Sequence, residues 1–109
     1  MCGVIGAYSL KDKTKNVYPL IVKGLLDLQH RGQLSAGITS YNPERKRILQ
    51  THKKNGKVHE VFEINHRFKS KRLLEDYSGH AAIGHTRYAT SGNNEDQLAQ
   101  PFERPHGRK

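Results

Sequence analysis

A single cysteine, no tryptophan, four prolines and no long apolar run set this 109-residue chain apart first by what it lacks. One thiol cannot pair within the chain, so a disulfide-stapled mini-protein is excluded. Four prolines and ten glycines without a Gly-X-Y period exclude a collagen. No stretch approaches the roughly 20 apolar residues that a bilayer demands, so a membrane-spanning helix is not expected and a membrane is not a partner. Hydrophobic residues make up 34% of the chain and aromatics 7%, with a mean hydropathy of −0.83, leaner than an ordinary globular domain. The length suits one domain, and the lean composition suggests part of something larger. A secretory leader is also not expected: the stretch Cys2 to Leu10 is short, interrupted by glycine, and followed at once by Lys11, Asp12, Lys13 and Lys15. One free thiol without a leader fits a reducing, cytoplasmic setting.

What is present in quantity is positive charge. Nineteen Lys and Arg against ten Asp and Glu give +9, of which residues 1–54 carry +7 and residues 55–109 carry +2. Local patterns then place the elements. Cys2 to Tyr8 reads as a buried strand at the terminus. Pro19 suits a first helical turn, and Ile21, Leu25 and Leu28, widened by Val22 and Leu26, predict an amphipathic helix from Val17 to His30 that stops near Gly32. Gly24 inside it costs about 1 kcal/mol against alanine, which implies close packing on a neighbour. Ala36 to Tyr41 and Arg47 to Thr51 read as strands around an Asn42-Pro43-Glu44-Arg45 turn, and Asn55-Gly56 marks another. Val58, Val61 and Phe62 fit a short helix. Leu73, Leu74 and Tyr77 fit a second, with Ser70 as N-cap. His80 to Ala89 reads as a central strand. Separate helices with mixed edge and buried strands imply an α+β fold rather than a βαβ parallel sheet.

Three segments carry chemistry. Cys2, once Met1 is removed, becomes the terminal residue with a free α-amine of reference pKa about 7.7–8.0. A thiol near pKa 8.5 is only a few per cent thiolate at neutral pH, and the adjacent amine can serve as its general base. For an arbitrary lone cysteine, a small buried hydrophobe is the commoner role; the terminal position and the bare backbone of Gly3 favour the nucleophile. In His30-Arg31-Gly32-Gln33-Leu34-Ser35-Ala36-Gly37-Ile38, a helix C-terminus explains His30, Arg31 and Gly32 but leaves Gln33, Ser35 and Gly37 unexplained. In Gly84-His85-Thr86-Arg87-Tyr88-Ala89-Thr90-Ser91-Gly92, alternation sets His85, Arg87 and Ala89 on one strand face and Thr86, Tyr88 and Thr90 on the other. An arginine at a strand end can fork a carboxylate bidentately.

In this order, the three segments resemble the N-terminal glutaminase domain of class II glutamine amidotransferases, a branch of the N-terminal-nucleophile hydrolases. Met-Cys-Gly-Val-Ile-Gly at 1–6 is similar to that family's opening. Gln29-His30-Arg31-Gly32-Gln33 resembles its purine-synthesis branch, whereas sugar-aminating relatives carry a Tyr-Arg-Gly-Tyr-like version. Gly84 to Gly92 with Ala99-Gln100-Pro101-Phe102 resembles the glutamine-binding strand and loop. Thr86 and Ala89 stand where many purine-branch members place Val and Ser, a drift toward the sugar-aminating branch, although Ser91 stands where that branch has His. The resemblance implies an αββα sandwich, represented by its N-terminal portion. It implies that Cys2 attacks the glutamine side-chain amide to release ammonia, that Arg87 holds the glutamine α-carboxylate with Thr90 in the same pocket, and that Gly3, Arg31 and Gly32 support the nucleophile. The ammonia would aminate phosphoribosyl pyrophosphate; the alternative is the glutaminase part of a glucosamine-6-phosphate synthase-like enzyme.

By the same resemblance, the family's oxyanion Asn-Gly pair and the acidic partner of the glutamine amino group are expected past Lys109, since Asn55-Gly56 lies upstream and in a turn. Residues 1–109 are thus expected to form an incomplete glutaminase domain, inactive alone, with the remainder of its own polypeptide as partner. A phosphoribosyltransferase domain with its magnesium is absent from this segment, for which no cofactor and no metal is expected. The full-length protein is expected to be a homo-oligomer.

One competing reading is a basic nucleic-acid-binding module built on Arg45-Lys46-Arg47, Lys53-Lys54 with Lys57, and Arg67-Lys69-Lys71-Arg72. It lacks stacking aromatics between the cations and any zinc or helix-turn-helix signature. His52, His59 and His66 recur every seven residues, but Asn55-Gly56 breaks any helix that would align them as metal ligands.

Overall fold

The computed structural model describes residues 3–29, 33–88 and 101. Seven elements follow in order: β1 (Gly3–Tyr8), α1 (Tyr18–Leu28), β2 (Gln33–Tyr41), β3 (Leu49–Asn55), α2 (Val58–Val61), α3 (Arg67–Asp76) and β4 (Ala81–Tyr88). The four strands form one sheet in the order β1-β4-β2-β3, and every pairing is antiparallel. The fold is α+β, as the sequence implied. β4 is central, and β1, expected to be buried, pairs only with β4 among the described residues and alternates between half-buried and exposed positions.

Helix α1 begins where Pro19 tolerates the unsatisfied first turn. Asn16 supplies the local lock: its Oδ1 accepts from Tyr18 N–H at 3.0 Å and from Gly79 N–H at 3.2 Å, and its Nδ2 donates to Leu74 O at 3.2 Å. The apolar stripe of the helix buries Ile21 and Leu25 against the sheet. Gly24 lets it approach β1 closely, for a Cβ there would fall 1.9 Å from Ile5 Cδ1. On the sheet side of this layer lie Ala36, Ile38 and Ala82, with Val58, Val61 and Phe62 closing one end. Tyr18 packs edge-on to Phe62, ring centres 6.1 Å apart.

The opposite sheet face is largely open. Register sets Tyr8, Ala81, Tyr41 and Leu49 in one row across all four strands, with Ile83 one row along. Val4 is 66% exposed and Ile83 52%. Large apolar side chains left in water on one sheet face mark a surface built to be covered.

Three boundaries depart from the sequence reading, the first being that of β2, which begins at Gln33 and not at Ala36. The strand expected at Arg47 to Thr51 is displaced to Leu49–Asn55, because the Asn42 turn is longer than four residues and closes only where Asn42 N–H donates to Ile48 O at 2.9 Å. The expected cap Ser70 lies inside α3; His66 caps it instead, Nδ1 accepting from Lys69 N–H at 3.3 Å. A histidine nitrogen can serve as an N-cap acceptor, a role that the usual Ser/Thr/Asp/Asn preference overlooks. The short helix at Val58 is as read, and Asn55-Gly56 does form a turn, with Gly56 at φ 128°.

His52 ties β3 to α2 and α3. Its Nε2 lies 2.7 Å from Val61 O, and its ring sits 5.6 Å from Phe62 and 5.4 Å from Tyr77. Burial holds its pKa below the ordinary 6.5, with the Val61 hydrogen bond acting against that shift. A histidine that resists protonation when folded takes up its proton more readily when unfolded. Stability is therefore full above about pH 6.5 and declines as pH falls below that, until the folded form also titrates. Urea unfolding between pH 7.5 and 5 should show this decline, and His52→Gln should flatten it to the share contributed by His85, whose pKa is also lowered. An unchanged slope would remove His52 as its source.

Candidate functional site

The N-terminal end of β1, the C-terminal turn of α1 and the last residues of β4 converge at one corner of the sheet. Gly3 stands opposite Thr86 in the β1–β4 register. A Cβ on Gly3 would fall 2.9 Å from Thr86 Oγ1 and 3.2 Å from Leu28 Cβ, so a side chain there would push α1 off the strand. A bare backbone at Gly3 is thus required by packing. At its C-terminal end α1 turns extended at Gln29, whose Oε1 accepts from Val58 N–H at 3.1 Å and anchors that end to α2.

Arg87 is the next residue along β4 from Thr86, half-buried, on the face turned away from α1. Thr86 points the other way and is fully buried, which is the alternation read from the sequence. Directly across from Arg87 on β2 is Ser35, and His85 faces Gly37 one row along. Burial, and then the charge of Arg87, hold the His85 pKa below its ordinary value. At neutral pH the imidazole is therefore uncharged, and Arg87 is the cation of the pair.

Of the expected site residues, Gly3 and Arg87 lie on neighbouring strands at adjacent register positions. Cys2, Arg31, Gly32 and Thr90 lie outside the described residues, although Cys2 is bonded to Gly3 and only His30 separates Gln29 from Arg31-Gly32. Among the described residues, no group of three or more His, Asp, Glu or Cys could hold a metal ion, and no helix is long and apolar enough to cross a membrane. Ser35 and His85 were not singled out as ligands. The signal for Ser35 was its place in a segment that a helix terminus could not explain; for His85 it was the strand face shared with Arg87.

The basic surface is less available than its sequence suggests. Arg45 turns inward and spends its five N–H donors on six acceptors, the carbonyls of Ser40, Arg47, Ile48, Asp76 and Ser78 and Ser40 Oγ, with one Nη1 N–H shared. A guanidinium spent on five carbonyls has little left for a phosphate. Arg72 lies 3.8 Å from Asp76 across one helical turn. A groove of about 430 Å³ beside β3 does gather Arg47, Lys53 and Lys54 around His52 and Tyr77, a pattern that also protects an edge strand from pairing.

Comparison with known proteins decides the family. The chain is 40% identical over 101 residues, 93% of its length, to an amidophosphoribosyltransferase of Methanothermobacter thermautotrophicus. It is 39% identical over 111 residues, 98% of its length, to that of Homo sapiens, and 34% identical over 102 residues, 94% of its length, to that of Escherichia coli. The chain belongs to the amidophosphoribosyltransferase family. No family model matches it. It spans about a fifth of the length of these relatives, 19%, 20% and 18% respectively, and corresponds to their N-terminal fifth. Membership in the amidophosphoribosyltransferase family agrees with the purine-branch reading of Gln29 to Gln33.

Proposed function

We propose that this chain is the leading part of a glutamine-hydrolysing unit that supplies ammonia for the amination of phosphoribosyl pyrophosphate in purine synthesis. The observation that carries the reading is the β1–β4 register: it holds Gly3 against Thr86, and so sets the residue bonded to Cys2 beside the residue bonded to Arg87. A terminal thiol with its own amine as base and a half-buried guanidinium one strand away are the two parts a glutaminase needs first. In this reading Cys2 attacks the side-chain amide and ammonia leaves, Arg87 forks the α-carboxylate, Thr90 lies in the same pocket, and Arg31 and Gly32 support the wall.

The open sheet face, with Val4 and Ile83 more than half exposed, supports the larger architecture of the N-terminal-nucleophile hydrolases. There a second sheet would pack on it as the next layer of an αββα sandwich. The remaining groups of the site, the oxyanion pair and the amino-group partner, belong to that further part in this proposal, and magnesium belongs only to a phosphoribosyltransferase part. Residues 1–109 alone would then be an incomplete, inactive glutaminase domain of a cytoplasmic homo-oligomer.

Arg87→Lys tests the reading in the whole polypeptide. A bidentate fork becomes a single point charge, and hydrogen bonds to charged groups contribute about 1.5–3 kcal/mol, so the KM for glutamine should rise roughly 10- to 150-fold. The α-carboxylate is remote from the reacting amide and is gripped about equally in ground and transition states, so kcat should change little. Synthesis driven by added ammonia should be spared. Collapse of both reactions would make Arg87 a structural residue.

A further inference from the structure

Among the described residues, three buried polar atoms at the Arg87 corner have no hydrogen-bond partner, Ser35 Oγ, His85 Nδ1 and Thr86 Oγ1, and of these Ser35 and His85 share the sheet face of Arg87. Ser35 is 0% exposed and stands directly across from Arg87 in the β2–β4 register, which sets their Cβ atoms about 4.5–5.5 Å apart on one sheet face. The cross-strand position beside this pair is Gly37, opposite His85, so β2 contributes no side chain between Ser35 and the imidazole. His85 is kept uncharged by its burial and by Arg87, so it does not repel a second cation there. Folded proteins rarely leave a buried hydroxyl unpaired, because doing so destabilises them; where one persists, an absent partner is the usual reason.

We propose that Ser35 is the positioning residue for Arg87, its hydroxyl being the acceptor that fixes the guanidinium once a carboxylate ligand draws it into the forked setting. The inference rests on the glutaminase reading, in which that ligand is the α-carboxylate of glutamine. A neutral acceptor suits this place. It can take one N–H of the guanidinium while leaving the charge and the paired donors for the carboxylate.

The test uses Ser35→Ala in the whole polypeptide, with L-glutamine as the probe. Binding is read as a thermal shift in a Cys2→Ala background, where no turnover occurs, and kinetics are read with Cys2 intact. Removing an unpaired buried hydroxyl should leave the melting temperature without glutamine unchanged or higher. The upward shift caused by glutamine should shrink. The KM for glutamine should rise about 10-fold, with kcat and ammonia-driven synthesis within about twofold. A hydroxyl that only supports the fold cannot produce that combination. A melting temperature lowered without ligand, a glutamine shift and KM equal to wild type, or a loss confined to kcat would each overturn the proposal. If the parent Cys2→Ala protein shows no glutamine shift at all, the glutaminase reading itself fails; if the parent shifts and Ser35→Ala shifts equally, only the role of Ser35 does.

Discussion

Replacing Cys2 by serine is expected to remove glutamine-dependent synthesis while leaving ammonia-dependent synthesis within about twofold. In the proposed reading the substitution exchanges one atom and keeps the terminal amine as base, so only the nucleophile changes. A hydroxyl ionises far less readily than a thiol of pKa about 8.5, and an amine of pKa near 8 cannot activate it to the same degree. Loss of a nucleophile that acts as a unit with its base costs on the order of 10⁴-fold or more in kcat. Retaining Met1 should be equally damaging, because the base is then an amide and no longer an amine. Steady-state assays with glutamine and with ammonium chloride on the same preparations separate the two routes. Undiminished glutamine use by Cys2→Ser would place the chemistry elsewhere.

The second large effect is on stability and falls on Arg45. Arg45→Lys replaces a planar fork that reaches five carbonyls with one ammonium bearing three donors. At least two hydrogen bonds to a charged group are then lost, each contributing about 1.5–3 kcal/mol. Taking the lower figure because the side chain is half-buried, the loss is about 3 kcal/mol, which lowers the melting temperature of a domain this size by more than about 10 °C. Lys46→Ala, at an exposed neighbour, should stay within about 0.5 kcal/mol. Thermal melts of both variants, alongside DNA binding across a salt series, separate two roles. If Arg45→Lys melts like wild type but loses salt-sensitive DNA affinity, Arg45 faces phosphate and the inward bonds are not what holds it.

The legibility of this chain followed the range of the interaction involved. Helix α1 was readable because Ile21, Leu25 and Leu28 repeat within one element, and β4 because alternation around Arg87 is local. Arg45 was misjudged for the opposite reason. Its acceptors lie as far away as Asp76 and Ser78, and nothing in Arg45-Lys46-Arg47 tells an inward guanidinium from an outward one. The same blindness hid the true cap of α3, where a histidine nitrogen replaced the expected hydroxyl. For the site, the terminal cysteine and the arginine strand were visible as residue types in order. That Gly3, the residue after that cysteine, meets the arginine strand depends on β1 pairing with β4 across most of the chain, and no periodicity records that. Ser35 was visible only as a residue lacking an explanation, since its lone hydroxyl becomes informative once burial and its missing partner are known.

Because β1 finds its partner in β4, the first strand of this sheet to be made is the last to be secured. Gly3 cannot meet Thr86 until the intervening chain has emerged, which at 5–20 residues per second takes about 4–17 s. Non-local pairing of this kind is also slow to form once the chain is complete. Throughout that interval the α1 residue Leu28 and the β4 residue Thr86, which crowd Gly3 in the finished fold, are not yet closed over the start of the chain. Gly3 is therefore uncovered while the chain is being made, and is enclosed once β4 has arrived. Strand order in this sheet thus also sets a timetable, in which β1 stays a loose end through most of synthesis and is sealed into place by the arrival of β4.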